Sequence, residues 1–258
     1  MELMDLVRFQ VDLLALGSEC RRDFTDQGWL VTNGDDPNCY LNAFYPSRKD
    51  FACPQDLRDR LLAHYRAHGR DGYLVHYGTG GATDVCYTAI LVPADVQIAP
   101  AANAEDFACI RTDDLDAWCE AYVAGSPHIP HGPFRNRSAR LREARDVHLY
   151  LFTVGGQTIG GGSLVRMGGG AFLANGYSVM EAYRGDILGR ARMVRMSTRD
   201  DVLALTTSRF ARVLRRAMPQ VRELGRVHYV RLDREAAACP AAADTPVRPA
   251  VSASPATL

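Results

Sequence analysis

Three strand patterns separated by glycine turns constrain the fold of this chain more than any other feature of its sequence. Val147–Val154 is apolar and ends at Gly155-Gly156, and the next strand pattern covers residues 158–167. A second glycine turn, residues 168–170, precedes a third strand pattern at 171–180. Glycine adopts the positive φ angles that tight hairpin turns need. The segment therefore predicts an antiparallel three-stranded meander.

The elements after the meander alternate between helix and strand. The apolar spacing predicts a helix from about Ile187 to Thr198, a strand at 202–205, a helix at Ser208–Ala217 and a strand at 226–232. Together with the meander, this order predicts an α/β (α+β) fold in which helices flank a mixed, mostly antiparallel sheet.

A turn between the meander and the helix at 187 carries the most informative motif. Residues 179–189 read VMEAYRGDILG. Such a strand-to-helix turn directs backbone N–H groups and the helix dipole towards an anion, and glycine lets the anion approach the backbone. An ordinary turn with a solvated arginine is the alternative. The glycines at 155–156 and 160–162 do not predict a dinucleotide site, because neither a helix nor a suitably spaced acidic residue follows them.

In its position after a meander, this motif resembles the signature of the GNAT superfamily of N-acyltransferases, which is a valine, four intervening residues and then R/Q-x-x-G-x-G/A. The resemblance covers residues 107–232 and implies a GNAT-like fold that binds acetyl-CoA or another acyl-CoA as co-substrate. It implies that pantetheine lies beside the strand at 202–205, although a plain core strand fits the same pattern. The residues that it implies for cofactor binding are Val179, Arg184, Gly185, Asp186, Gly189 and Arg190.

Two positions depart from the family pattern, and the catalytic residues stay open. Ile187 occupies the place of the motif's first glycine, and Arg215 occupies that of a tyrosine which often protonates the leaving thiolate. Candidates for the general base are Glu181, Tyr177 and His148, each of which also fits a core or solvated role. The implied reaction is direct acyl transfer to an amine of a small molecule or peptide, without a metal. The alternatives are a catalytically inactive GNAT-like fold that serves as a ligand-binding or protein-interaction module, and an unrelated α/β structural domain.

The first half of the chain echoes the same order of elements without the Arg-Gly motif. Helix patterns at 1–16 and 54–68 and strand patterns at 29–32, 73–77 and 85–92 predict an α/β domain at 1–95, with the last two strands as a hairpin. The resemblance implies a degenerate GNAT-like domain here, in tandem with the acyl-CoA-binding domain at 106–233. Its Asp35, Asp36, Tyr40, Phe44 and Tyr45 are candidates for binding the amine, against turn-forming and core roles.

Charge and composition restrict the partners. The 30 basic and 30 acidic residues cancel, which argues against nucleic acid, and no apolar run approaches the roughly 20 residues of a membrane helix. Seven scattered cysteines without metal-ligand spacing, and acidic residues within 1–5, predict a cytoplasmic protein with reduced thiols and no metal. The Ala/Pro-rich tail, 235–258, is predicted to be disordered.

A basic run lies at residues 135–145, where five arginines face one glutamate. It is a candidate contact for the 3′-phosphate of coenzyme A or for an acyl carrier protein, and otherwise the solvated face of a helix. Two histidines, His128 and His131, precede it in a segment (126–133) predicted to be an extended loop near the substrate.

Overall fold

The computed structural model describes residues 2–16, 18–21, 24–78, 83–96, 107–183 and 198–234. In these ranges eleven strands form one sheet in the order β1-β2-β3-β4-β11-β5-β10-β9-β8-β7-β6. The strands are β1 (Glu19–Arg21), β2 (Gly28–Thr32), β3 (Ala43–Pro46), β4 (Tyr73–Tyr77), β5 (Val85–Val92), β6 (Phe107–Thr112), β7 (Val147–Val154), β8 (Gln157–Arg166), β9 (Phe172–Val179), β10 (Val202–Thr207) and β11 (Arg222–Arg231). The mixed, mostly antiparallel sheet predicted from the sequence is confirmed.

Helices cover both faces of the sheet. They are α1 (Leu3–Leu14), α2 (Gln55–Ala67), α3 (Leu115–Ala124), α4 (His131–Ala144) and α5 (Ser208–Ala217). The face that carries α1, α3 and α4 is called face A, and the face that carries α2 and α5 is called face B. None of the helices in the described ranges combines the length and hydropathy that a membrane span requires.

The core lies in apolar layers on either side of the sheet. On face A, Leu6 of α1 packs with Val75 and Leu203, while Trp118 of α3 packs with Phe134 of α4. On face B, Leu214 of α5 and Leu61 of α2 each belong to a separate apolar cluster. Because neighbouring residues of a strand point to opposite faces, each central strand contributes apolar side chains to both layers.

The meander β7-β8-β9 is confirmed, and glycines of β8 make room for aromatic rings on both of its faces. A Cβ atom at Gly161 would lie 3.2 Å from the indole nitrogen of Trp118 on face A. A Cβ atom at Gly162 would lie 2.7 Å from the rings of both Phe152 and Tyr177, which stack with centroids 5.5 Å apart on face B. The Trp118 indole N–H donates to the Gly162 carbonyl over 2.9 Å, which fixes α3 on the sheet.

The predicted hairpin of β4 and β5 is wrong, because β11 lies between these strands. Tyr229 of β11 is opposite Val75 of β4 on one side and opposite Val85 of β5 on the other. Four consecutive residues of β11, 227–230, are buried, so this strand needs a neighbour on each edge and a layer on each face. That requirement overrides the local turn signal at 78–83.

The region between β6 and β7 contains two helices, the second of which differs from the sequence prediction. The N-cap of α3 is Asp114, whose carboxylate accepts from two backbone N–H groups at 3.0 Å. Helix α4 begins at His131, inside the predicted loop, because Pro133 falls in the first turn, where the missing N–H costs nothing. Residues 187–197 of the predicted helix at 187–198 lie outside the described residues, and so does the whole tail at 235–258.

Candidate functional site

A gap opens in the sheet between β9 and β10. These parallel strands pair only where Phe172–Ala174 lies opposite Val202–Ala204. Beyond these residues the two strands are not paired with each other in the described part of the chain, although β9 stays with β8 up to Val179 and β10 stays with β5 up to Thr207. Each strand is thus held on its outer side by its other neighbour, while its inner edge diverges from that of the facing strand.

A β-bulge in β9 lies at the start of this gap. The register between β8 and β9 shifts where Gly162 is opposite Tyr177 and Leu164 is opposite Ala174, which leaves one extra residue in β9. Gly176 in the bulge has a φ of +100°, a conformation that favours glycine. An added Cβ atom there would lie 2.4 Å from the hydroxyl oxygen of Tyr122. The bulge therefore redirects the backbone of β9 at the gap, and the close approach of α3 requires glycine at this position.

The loop that joins α3 to α4, residues 125–130, lies against the far end of β9. The hydroxyl groups of Ser126 and Ser178 are 2.7 Å apart. A Cβ atom at Gly125 would lie 2.7 Å from the backbone nitrogen of Val179. This loop, which contains His128, therefore covers β9 on face A beside the gap.

Two of the three predicted catalytic residues lie on the described part of β9 that is not paired with β10 or on the turn directly after it. Tyr177 lies on β9 and faces the core of face B, and the exposed Glu181 lies on the turn that follows β9. His148 lies elsewhere, since it is opposite Leu164 of β8, which in turn is opposite Ala174 at the paired end of β9. Its backbone is two strand spacings, roughly 10 Å, from that of β9, and its ring contacts Phe172 of β9 at the paired end of the strand.

The surroundings of His148 are those of a packed side chain. Its Nε2 atom is 3.2 Å from a carboxylate oxygen of Asp146, and its ring lies 5.0 Å from that of Phe172. Burial and then the nearby charge of Arg111 lower the pKa of His148, while Asp146 raises it.

The predicted cofactor-binding residues fall mostly outside the described ranges. Val179 is the buried last residue of β9 and borders the gap. Arg184, Gly185, Asp186, Gly189 and Arg190 lie outside the described residues. The described Arg215 of α5 pairs with Glu223 over 2.8 Å.

A group of polar side chains lies together on face A, although the sequence did not predict that they are neighbours. The Tyr40 phenol interacts electrostatically with Arg137, Asp36, Tyr122 and Tyr87, and burial raises its pKa above the usual range. Tyr122 contacts the bulge in β9, while Tyr87 is opposite Thr207 at the end of β10. Tyr40 is therefore near residues on both borders of the gap and near the Asp36–Arg137 ion pair, whose closest atoms are 3.4 Å apart.

Of the other side chains predicted to bind the amine, two belong to the core. Phe44 is fully buried on face B. Tyr45 is buried on face A, where its hydroxyl donates to the Tyr40 carbonyl over 2.7 Å. The basic run is divided among carboxylates, because Arg135 pairs with Asp116, Arg137 with Asp36 and Arg142 with Asp113.

Solved structures with the same architecture include a GCN5-related N-acetyltransferase from Kribbella flavida, with a TM-score of 0.60 and 10% sequence identity; the match covers 89% of this chain and 95% of that chain. A functionally unknown conserved protein from Staphylococcus epidermidis ATCC 12228 matches with a TM-score of 0.52 and 11% identity over 80% of this chain and 90% of its own. No family model matches the chain, and no curated protein sequence does. The likeness to the Kribbella flavida acetyltransferase concerns architecture, and this chain has the GNAT fold, as the sequence predicted.

Proposed function

We propose that this chain is an N-acyltransferase that transfers an acetyl or other acyl group from acyl-CoA to an amine of a small molecule or peptide. The observation that carries the proposal is the gap between β9 and β10, whose β9 side ends at Val179, the first residue of the VMEAYRGDILG motif. An extended amide chain such as pantetheine can form hydrogen bonds with the backbone of strand edges that diverge in this way. The gap thus fits an acyl-CoA at the place where the sequence predicts one.

The thioester supplies an activated acyl carbon. The amine nitrogen forms a bond to this carbon while the carbon–sulfur bond breaks, the amine loses a proton, and the thiolate leaves. In the proposal Glu181 accepts the amine proton, and Tyr177 shapes the face B side of the gap. The predicted alternative, an acyl carrier protein that delivers the acyl group, stays a prediction.

Binding of acetyl-CoA tests the proposal directly. At about 100 times its Kd, acetyl-CoA should stabilise the protein by about 2.7 kcal/mol, which for a chain of this size raises Tm by roughly 5–10 °C. The Arg184→Ala variant should lose most of this shift, whereas Arg199→Ala, an exposed arginine outside the motif, should keep it. A folded wild-type protein that binds no acyl-CoA would overturn the proposal.

Turnover distinguishes the enzyme from a binding module. Release of free coenzyme A with a panel of amines should depend on Glu181, and Glu181→Gln should lower kcat by about 10²-fold or more, the range of general acid–base groups. The alternative of an inactive module is favoured by Arg215, which is ion-paired at the place of the family's tyrosine acid. Binding of acetyl-CoA without turnover on any amine would support the module.

We also propose that residues 1–95 form a degenerate copy of the acyl-CoA-binding half. The pairing pattern is symmetric in the part of the sheet with the order β3-β4-β11-β5-β10-β9. The two outer pairs, β3-β4 and β10-β9, are parallel, and the three inner pairs are antiparallel. At the first parallel pair the Tyr77 hydroxyl donates to the Pro46 carbonyl over 3.1 Å, which ties the ends of β3 and β4 together. Calorimetry should therefore give one acetyl-CoA per chain, and a stoichiometry of two would contradict this assignment.

A further inference from the structure

A cavity of about 300 Å³ lies on face A between the 33–36 turn and the start of α4. This volume is at the lower end of the roughly 300–1,000 Å³ typical of ligand pockets, which suits a small molecule. One wall is apolar and includes Ile129, Pro133 and Phe134. The polar lining contains charges of both signs, from Asp35, Asp36, Arg137 and Arg140.

The turn that carries the two carboxylates is fixed by asparagine side chains. The Asn33 side-chain oxygen accepts from the backbone N–H groups of Asp35 and Asp36 at 2.9 and 3.0 Å. The Asp36 carboxylate accepts from the backbone N–H of Asn38 at 3.0 Å, and the Asn42 amide donates to the Asp36 carbonyl at 2.7 Å. These bonds hold the turn in one conformation, so the position of the Asp36 carboxylate does not depend on a ligand.

The two arginines of the lining, Arg137 and Arg140, both lie on α4. Arg137 faces Asp36 through one terminal nitrogen and lies 5.6 Å from the ring centre of Phe134. A guanidinium group has five N–H donors, and within the described ranges only one terminal nitrogen of Arg137 is hydrogen-bonded, to Asp36. Arg140 is exposed, borders this cavity and the adjoining one of about 390 Å³, and has no ion-pair partner in the described part of the chain.

This mixture of charges selects for a ligand with both signs. A simple cationic amine would satisfy the carboxylates but would meet two guanidinium groups, and a simple anion would meet two carboxylates. A molecule with an ammonium group and a carboxylate complements both pairs.

The ring of Tyr122 lies between the cavity and the bulge at the start of the gap. Phe134, which lines the cavity, stacks on Tyr122 with centroids 4.7 Å apart, and the Tyr122 hydroxyl touches the bulge at Gly176. Ile129, also in the lining, belongs to the loop whose Ser126 contacts the end of β9. A ligand in the cavity is therefore next to the strand that borders the gap.

We propose that the acceptor of this acyltransferase is an amine that also carries a carboxylate, an amino-acid-like molecule, bound in this cavity with its carboxylate on Arg137 and Arg140 and its ammonium group facing Asp35 and Asp36. The inference rests on the proposed function, since it assigns the acceptor of the same reaction.

The test compares three amines of one shape: leucine, leucinamide and 3-methylbutylamine. Release of coenzyme A from acetyl-CoA should give a kcat/KM for leucine about 10- to 100-fold above those of the other two, the range expected for charge-assisted hydrogen bonds to one carboxylate. Arg140→Gln should lower kcat/KM for leucine about 10-fold and should not lower that for 3-methylbutylamine, because the variant removes one of the two guanidinium groups that this amine would meet. Arg145→Gln, which removes an exposed charge from the end of the same helix away from the cavity, should change neither.

Calorimetry separates the two proposals. Leucine should bind without any acyl-CoA, and more tightly to the wild-type protein than to the Arg140→Gln variant. If acetyl-CoA binds and turns over while all three amines react equally, or while Arg140→Gln affects them equally, the acceptor proposal is overturned and the acyltransferase stands. If leucine binds in an Arg140-dependent manner but no acyl-CoA binds, the acyltransferase is overturned and the cavity remains a site for such molecules.

Discussion

Replacing Gly176 with alanine should lower the free energy of unfolding by about 2–5 kcal/mol, because two separate costs act at this position. An L-residue at its φ of +100° is strained by roughly 1–2 kcal/mol. The new methyl group would also lie 2.4 Å from the Tyr122 hydroxyl, so the phenol must move by about 1 Å to restore ordinary contact, and overpacking of this kind costs about 1–3 kcal/mol.

Two further glycines separate these costs. Gly169 has a φ of +78° and no atom within 4 Å of an added Cβ, so alanine there should cost about 1–2 kcal/mol through strain alone. Gly168 has neither feature, and alanine there should stay within about 0.5 kcal/mol of the wild type. Adding Tyr122→Phe to Gly176→Ala should recover about 1 kcal/mol, because the nearest remaining atom would be 3.2 Å away.

Urea unfolding followed by circular dichroism measures all four variants, with unchanged slopes as the check on two-state comparison. If Gly176→Ala is no less stable than Gly169→Ala, the contact between Tyr122 and the bulge is refuted. If it is as stable as Gly168→Ala, the bulge itself is refuted.

Three more predictions follow from burial. Because burial lowers the pKa of His148, the folded state binds fewer protons there than the unfolded state as the pH falls below the ordinary histidine pKa. The free energy of unfolding should therefore decrease over this pH range. Urea unfolding at a series of pH values should show a smaller decrease for His148→Asn than for the wild type. Burial raises the pKa of Cys119 to about 11, so native-state alkylation at pH 8, read by mass spectrometry, should spare Cys119 and modify Cys53 faster. Gly162→Ala should cost about 1–3 kcal/mol in the same unfolding assay, since its methyl group enters the Phe152–Tyr177 stack.

The elements that the sequence predicted best are those whose contacts are local. Val147–Val154 has the predicted bounds, and its neighbours in the meander differ by single residues, because alternation and glycine turns specify such a segment without help from the rest of the chain. The same holds for α5, which spans Ser208–Ala217 as predicted.

Non-local pairing accounts for the wrong hairpin. Residues 73–92 satisfy the local signals of a hairpin, and nothing within them shows that β11, more than 120 residues further on, lies between β4 and β5. The short β3 was missed for a related reason, since its four residues are buried on both faces and show no alternation.

The candidate site combines a local signal with a non-local one. The strand-to-helix motif could be found because its residues are contiguous. The Asp36–Arg137 pair could not, because the sequence offered Asp36 as a candidate amine-binding or turn residue and Arg137 as one member of a basic run, and only the fold brings them within 3.4 Å. The bulge at Gly176 left no signal beyond a glycine inside a strand pattern.

Amide hydrogen exchange with and without acetyl-CoA tests the central claim, acyl-CoA binding in the gap between β9 and β10, most directly. On binding, exchange should slow in peptides that cover residues 175–180 and 205–208, where the inner strand edges gain partners, and should not change in residues 73–77 at the first parallel pair. Binding that protects other parts of the chain while both gap peptides exchange as before would contradict the account.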